Sequence, residues 1–207
     1  MHAEIRVVGL MLAAGHASRF GADKRRARLA DGRTLLEASL ANAAATFDEL
    51  LLVVRAGDTL ADLRLPPQIR VLHTPSAERG LGASLAAGAT ALSAYPSDAL
   101  AVLLGDMPWI RPQTCARLIA EADGQRIVQP WHAGQPGHPV VFGRAFWPAL
   151  CTLDGDEGAR RLIRRDAAHY RALPVDDPGV LQDVDRPADL DERMAPAAPS
   201  THRPARS

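Results

Sequence analysis

Several runs of this chain are apolar at consecutive positions rather than at alternate ones. They are Val7-Val8-Gly9-Leu10-Met11-Leu12, Leu50-Leu51-Leu52-Val53-Val54 and Ala99-Leu100-Ala101-Val102-Leu103-Leu104. An unbroken run of strand length is the pattern of a strand covered on both faces, as in a parallel sheet flanked by helices. Ala99–Leu104 is the most apolar of them and is expected at the centre. Ile69–Leu72, Ile127–Pro130 and His169–Val175 read as further strands. Between the strands lie stretches with helix signals. Thr34 is placed to cap a helix from Leu35 to about Phe47, with Leu36, Leu40 and Ala43-Ala44 on its inner face. Further helices are predicted from the Gly80–Ser84 loop to about Tyr95, from Pro112 to about Ala122, and up to about Arg165. A short terminal helix follows Pro187, and one helical turn is expected around Leu60–Leu63. Residues 131–142 look like hairpin arms around a Gly/Pro loop. The expected fold is α/β: one domain over 1–193 with a mostly parallel sheet and a small hairpin insertion.

Where the first strand stops, the polarity changes abruptly. Ala13-Ala14-Gly15 is followed by a polar loop that carries Ser18, Arg19, Gly21 and Lys24. A buried strand feeding a glycine-bearing loop presents backbone N–H groups to an anion at the carboxyl ends of such sheets. Two cations beside those donors point to a polyphosphate. The loop contains neither Gly-x-x-x-x-Gly-Lys-Ser/Thr nor Gly-x-Gly-x-x-Gly, so it is neither a P-loop nor a dinucleotide fingerprint. The cluster Lys24-Arg25-Arg26-Ala27-Arg28 reads either as a solvated surface patch or as charge facing an anionic substrate.

Composition narrows the class. The chain has 207 residues, 47% of them apolar and 23% charged, and its formal net charge is +0. That length supports one sizeable core. Neutrality argues against broad nucleic-acid binding. No run reaches the length of a membrane span, and no signal-peptide pattern precedes the first strand, so the cytoplasm is the expected compartment. Cys115 and Cys151 form no metal-type or redox pair and read as small apolar residues. Residues 194–207, rich in Pro, Ala, Ser and Arg, are expected to be a disordered tail.

Chemistry-bearing residues recur at later strand ends. Asp106, just past the most apolar strand, is a hard oxygen ligand suited to Mg²⁺ shared with phosphate oxygens. Gly80 and Gly82 allow close backbone approach to a ligand, and Ser84 sits in a first helical turn. His138 precedes Pro139 and is held extended. With no second His or Cys at ligand spacing beside it, zinc is not expected. Asp156 reads either as a helix cap or as a pocket residue. Asp183 and Asp185 flank Val184 before the terminal helix.

Taken in order, these pieces resemble the molybdenum cofactor nucleotidylyltransferases, the MobA/MocA-like branch of the nucleoside triphosphate transferases. The resemblance rests on six segments spread over about residues 5 to 191. They are Leu12-Ala13-Ala14-Gly15-x-x-Ser18-Arg19-x-Gly21-x-x-Lys24, Gly80 to Gly88, Leu104-Gly105-Asp106-Met107-Pro108, Gly137-His138-Pro139-Val140, Gly155-Asp156-x-Gly158-Ala159-Arg160, and Asp183-Val184-Asp185-x-Pro187-x-Asp189-Leu190. The resemblance implies a Rossmann-like three-layer α/β/α fold. It implies transfer of CMP from CTP to the phosphate of molybdopterin or a molybdenum-loaded form, with release of pyrophosphate. Leu12, Ala13, Ala14, Gly15, Arg19 and Lys24 would hold the triphosphate, and Gly80 and Ser84 would touch the nucleoside. Asp106 and Asp185 would hold Mg²⁺, and His138, Asp156 and Arg160 would shape the acceptor side. Lys24, Arg19 and Asp106 would carry catalysis. Ala14, where GTP-using relatives have glycine, favours CTP, since a methyl group crowds a purine more than a pyrimidine. A contact of that size contributes about 1–3 kcal/mol of discrimination.

Two positions depart from the family pattern. Arg25-Arg26-Ala27-Arg28 stands where leucines are usual, and Thr74-Pro75 where Asn-Pro is usual. Three alternatives remain at this point: a transferase for another phosphorylated acceptor such as a sugar 1-phosphate, a GTP-using homologue, and a non-catalytic protein that delivers the cofactor. A molybdoenzyme or its chaperone is the partner that the resemblance suggests.

Overall fold

The apolar runs form the middle of a sheet. In the computed structural model, which describes residues 5–15 and 23–191, the strands are β1 (Val7–Leu12), β2 (Leu50–Arg55), β3 (Ile69–Thr74), β4 (Ala99–Leu104), β5 (Ile127–His132), β6 (Gln135–Pro136), β7 (Val140–Gly143) and β8 (Tyr170–Pro174). The order is β3-β2-β1-β4-β7-β5, with β8 on the far edge of β5 and β6 beside β7 on its near edge. β1 to β4 are parallel to one another, and β8 is parallel to β5. β7 is antiparallel to both β4 and β5. The expected hairpin is therefore what inserts the reversed strands. Its turn, Ala133-Gly134, has φ of 48° and 78°, the left-handed pair that a two-residue hairpin turn requires.

The helices are α1 (Leu35–Ala44), α2 (Leu81–Leu92), α3 (Pro112–Ala120), α4 (Trp147–Leu150), α5 (Arg160–Arg165) and α6 (Ala188–Asp191). Strand residues alternate between two apolar layers. Met11, Ala13, Leu52, Ala101 and Leu103 pack with Leu36 and Leu40 of α1 and Leu118 of α3. Val8, Leu10, Leu12, Leu100 and Val102 pack with Leu85, Ala89 and Leu92 of α2, with Trp147 and Leu150 of α4, and with Leu162 of α5. The three-layer α/β/α arrangement follows. α2 lies close to β1 because Gly88 has no Cβ; one there would lie 2.5 Å from Leu10 Cδ1.

The helix starts agree with the sequence better than the ends do. Thr34 accepts from the Glu37 N–H while the Glu37 carboxylate accepts from the Thr34 N–H, a complete capping box. α1 ends at Ala44, short of Phe47, and α2 ends at Leu92, short of Tyr95. Residues 60–63 make a turn closed by Leu63 N–H to Leu60 O, not a helical segment. Cys115 is buried, and burial pushes its thiol up to about 12. Cys151 is half-buried. Arg19, Ser18, Gly21 and the tail 194–207 lie outside the described residues. Among the described residues, no helix is long and apolar enough to cross a membrane.

Candidate active site

The site starts from the register of the two central strands. Leu12 of β1 stands opposite Leu104 of β4, and Gly105 N–H continues the ladder to Leu12 O at 2.9 Å. Ala13-Ala14-Gly15 and Asp106 therefore emerge side by side at the carboxyl ends of parallel strands. Lys24 opens a one-turn 3₁₀ segment, Lys24–Arg26, capped by the Asp23 carboxylate. Its ammonium donates to Asp106 Oδ2 at 2.6 Å and to the Val184 carbonyl at 3.2 Å, and lies 3.5 Å from Asp185 Oδ1. Three segments far apart in sequence meet on one cation. Burial disfavours the ammonium, but the charge of Asp106, and then that of Asp185, outweighs it, and the Lys24 pKa is raised. Val184 N–H in turn donates to Asp106 O at 3.1 Å, tying the late segment to β4.

The donor set suits a hard divalent cation. Asp106 Oδ1 is buried and has no hydrogen-bond partner among the described residues. Asp185 is half exposed beside it. Asp183 is pushed up by burial and then by the charges of Asp185 and Asp106, so negative charge accumulates here. Among the described residues there is no group of three or more His, Cys, Asp or Glu that would hold a metal. Two carboxylates completed by water and substrate phosphate are the usual arrangement for Mg²⁺.

Around these charges opens a cleft of about 550 Å³. Leu12, Ala13, Ala14, Gly15, Lys24 and Asp106 line it on one side, and Gly80, Ser84 and Asp156 on another. The loop before α5 docks on the start of α2: Gly82 N–H donates to Gly155 O at 2.7 Å. Gly80, at φ 109°, leaves no room for a side chain, because a Cβ there would lie 2.6 Å from Gly155 C. Asp156 is thus carried to the cleft by the docked loop. It does not cap α5, whose N-cap is Ala159. Ser84 is buried, but its N–H is already engaged in the helix ladder and its hydroxyl bonds back to Gly80 O at 3.3 Å.

On the other side of Asp106, His138 N–H donates to Val180 O at 2.9 Å. Its ring Nδ1 is buried and has no hydrogen-bond partner among the described residues. Burial lowers the ring pKa, and the nearby Arg160 charge adds to that while Asp106 opposes it. Arg160 itself is exposed at the start of α5; neither it nor His138 lines the cleft.

Two organising residues escaped the sequence. Arg25 is buried, at 7% exposure, and its guanidinium engages Asp23, Asp58 and the Ala13 carbonyl. Burial opposes that charge, but hydrogen bonds to Asp58 and Asp23 more than offset it and raise the pKa. Arg26 pairs with Asp23 and Asp62. Arg25 and Arg26 are therefore neutralised by carboxylates of the fold, whereas Lys24 faces the strand-end carboxylates and Arg28 donates to the Gly32 carbonyl. The second residue is Asp177, at 2% exposure, which accepts from Arg111 N–H at 2.9 Å, Thr114 Oγ1 at 2.6 Å and Gly179 N–H at 3.0 Å. It anchors the strap of residues 177–185 that carries Val180, Val184 and Asp185. Only the Asp23-Lys24-Arg25 and Gly57-Asp58 adjacencies hinted at the first; nothing in the periodicity marked the second.

Comparison with known proteins accords with this geometry. The model of the MobA-like NTP transferase domain matches residues 9–171. Purine catabolism protein PucB of Bacillus subtilis is 31% identical over 89% of this chain and 94% of its own length. Nicotine blue oxidoreductase of Paenarthrobacter nicotinovorans is 30% identical over 86% of this chain and 92% of its own. Phosphoenolpyruvate guanylyltransferase of Nocardia farcinica is 32% identical over 73% of this chain and 66% of its own. Among solved structures, Rv0371c of Mycobacterium tuberculosis superposes with a TM-score of 0.77 at 30% identity, covering 91% of this chain and 98% of that one. A second structure of Rv0371c, with TM-score 0.66 and 28% identity over 84% of this chain and 89% of that one, is a complex with manganese. The strand-end site and a family match spanning most of the chain lead to one conclusion: this chain belongs to the MobA-like NTP transferase family and is a nucleotidyltransferase.

Proposed function

We propose that this chain transfers the cytidylyl group of CTP to the terminal phosphate of a molybdopterin-type acceptor, releasing pyrophosphate. The observation that carries the reading is the convergence of Lys24, Asp106 and Asp185 at the ends of β1 and β4. An acceptor phosphate oxygen attacks the α-phosphorus, a new P–O bond forms, and the bond to the bridging oxygen of pyrophosphate breaks. The acceptor phosphate is already an anion near neutral pH, so no protein base is needed, and catalysis consists of positioning and charge neutralisation. Lys24 supplies a fixed positive charge for the leaving pyrophosphate, together with Arg19 from the same loop. Asp106 and Asp185 would hold Mg²⁺, which supplies Lewis-acid charge and screens the repulsion between the two phosphates. Without it, two carboxylates and one ammonium leave this point of the cleft net negative, hostile to a triphosphate; a divalent cation reverses that sign.

Gly80 and Ser84 line the nucleoside wall, and Ala14 supplies the methyl group that favours a pyrimidine. The buried His138 Nδ1, with no hydrogen-bond partner among the described residues, would serve the acceptor side, with Asp156 from the loop before α5 and Arg160 from the start of α5. The guanylyltransferase relative favours a second reading, in which GTP or a different phosphorylated acceptor is used. Release of pyrophosphate from CTP, GTP, ATP and UTP, with and without molybdopterin and with Mg²⁺ or Mn²⁺, separates the two. The proposal expects acceptor-dependent release that is fastest with CTP. Preference for GTP, or release without regard to molybdopterin, would replace it with the second reading.

A further inference from the structure

Arg25, one residue after Lys24, is a buried guanidinium with more than one partner. Its Nε and one terminal nitrogen grip the two oxygens of Asp23 at 2.8 and 2.9 Å. The other terminal nitrogen bonds both Asp58 and, at 3.1 Å, the carbonyl of Ala13. These contacts use four of the five N–H groups of the guanidinium. Two carboxylates leave it no net charge to offer a phosphate, so Arg25 is not itself an anion ligand. Its consequence falls on the Ala13–Ala14 peptide. In a trans peptide the C=O and N–H point in opposite directions. Holding Ala13 O against the guanidinium therefore turns the Ala14 N–H away from it. Ala14 is 2% exposed, and it, Gly15 and the braced Arg25 all line the cleft. Among the described residues no group accepts a hydrogen bond from the Ala14 N–H. A backbone N–H on a buried residue that no described group engages is rare in folded proteins. At the mouth of an anion site it is a donor kept for the ligand.

We propose that Arg25 is a positioning residue: braced by Asp23 and Asp58, it fixes the Ala13–Ala14 peptide so that the Ala14 N–H is presented to a phosphate of the bound nucleotide. The inference rests on the nucleotide-transfer reading and deepens it. Arg25 and Asp58 lie 33 residues apart in sequence, so the brace also joins the β1 loop to the turn after β2. It further clamps Asp23, the cap of the segment that starts with Lys24.

The test is titration calorimetry of CTP with Mg²⁺ against wild type, Arg25→Met and the double variant Arg25→Met/Asp58→Asn, alongside thermal unfolding of each. The single variant takes the guanidinium from Asp58, while Asp23 keeps Arg26, and lowers the melting temperature; the double variant removes the Asp58 charge and regains part of the loss. The expected result is a Kd for CTP weakened roughly tenfold to a hundredfold in both variants, because the lost alignment of the Ala14 donor is not restored by repairing charge. Recovery of affinity together with melting temperature in the double variant would overturn the inference, leaving Arg25 a purely structural residue. Wild-type affinity in Arg25→Met would overturn it as well. Should Arg25→Met fail to fold, Arg25→Lys, which keeps the charge without the planar fork, is read in the same way. A wild-type chain that binds no nucleoside triphosphate would overturn the functional reading, and this inference with it.

Discussion

At the scale of single residues, Lys24 and Asp106 define the chemistry, while Arg25 and Asp58 define the frame that holds it. Lys24 bridges two carboxylates from later parts of the chain, so its truncation removes charge from the site without removing core packing. Lys24→Ala is expected to lower kcat for pyrophosphate release by about 10²–10³-fold, as for loss of one preorganised electrostatic group, and to lower the melting temperature of the metal-free protein, since Asp106 and Asp185 lose their shared cation. The frame has a pH signature. Burial pushes the Asp23 and Asp58 carboxyls up, but Arg25 pulls them further down, and both lie below their ordinary 3.8. A carboxyl with a depressed folded-state pKa contributes stability above its unfolded value and loses it as pH falls through the folded one. Asp58→Asn is therefore expected to cost about 2–4 kcal/mol at pH 7. The difference from wild type should shrink below about pH 4. Urea unfolding of both proteins across that range measures it.

What was legible at this scale was the identity of the polar residues at strand ends, because chain position alone puts them at the ligand edge of a parallel sheet. Lys24, Asp106 and Asp185 do meet, and Gly15, Gly80, Ser84 and Asp156 share their cleft. What was not legible was which cations are already spent. Arg25 looked like part of a solvated or substrate-facing cluster because its partner Asp58 is distant in sequence, and charge patterning along the chain cannot reveal a pair that only the fold creates.

At the scale of elements, the strands could be read because both faces of each are buried, and the helix starts because caps are local chemistry. The ends of α1 and α2 could not be read: alanine-rich turns carry no stop signal, and α2 ends with Ser93 at its C-cap rather than at a glycine. Least visible was the strap of residues 177–185. It has neither periodicity nor repeat, and it is held by the bonds of Arg111 and Thr114 to its Asp177 and by single bonds from His138 and Lys24 and to Asp106. That construction makes Asp177 a control point for Asp185. Asp177→Asn replaces one acceptor by a donor that faces donors, and is expected to cost about 1–3 kcal/mol. It should also weaken Mn²⁺ binding, read by titration of the metal without substrate, whereas a residue that only supports α3 would leave Mn²⁺ affinity unchanged.

At the scale of the molecule, the sheet order β3-β2-β1-β4 brings Ala13-Ala14-Gly15, Asp106 and the start of α2 around one cleft, the parts proposed to hold triphosphate, metal and nucleoside. A ligand that bridges these elements binds the folded chain and not the unfolded one. CTP with Mg²⁺ at about one hundred times its Kd is accordingly expected to add about 2.7 kcal/mol of stability. The shift in melting temperature should be larger than for either component alone. An equal effect of CTP without metal would detach the nucleotide from the two carboxylates.

The central claim is that Asp106, beside Lys24 and Asp185, makes this cleft a metal-assisted nucleotidyl transfer site. Its most direct test is pyrophosphate release from CTP and molybdopterin with Mg²⁺, by wild type and by Asp106→Asn. The account expects acceptor-dependent release from wild type and a fall of about 10²-fold or more in the variant, with the fold retained. Release by Asp106→Asn at the wild-type rate, or none from wild type with any nucleoside triphosphate and either metal, would contradict it.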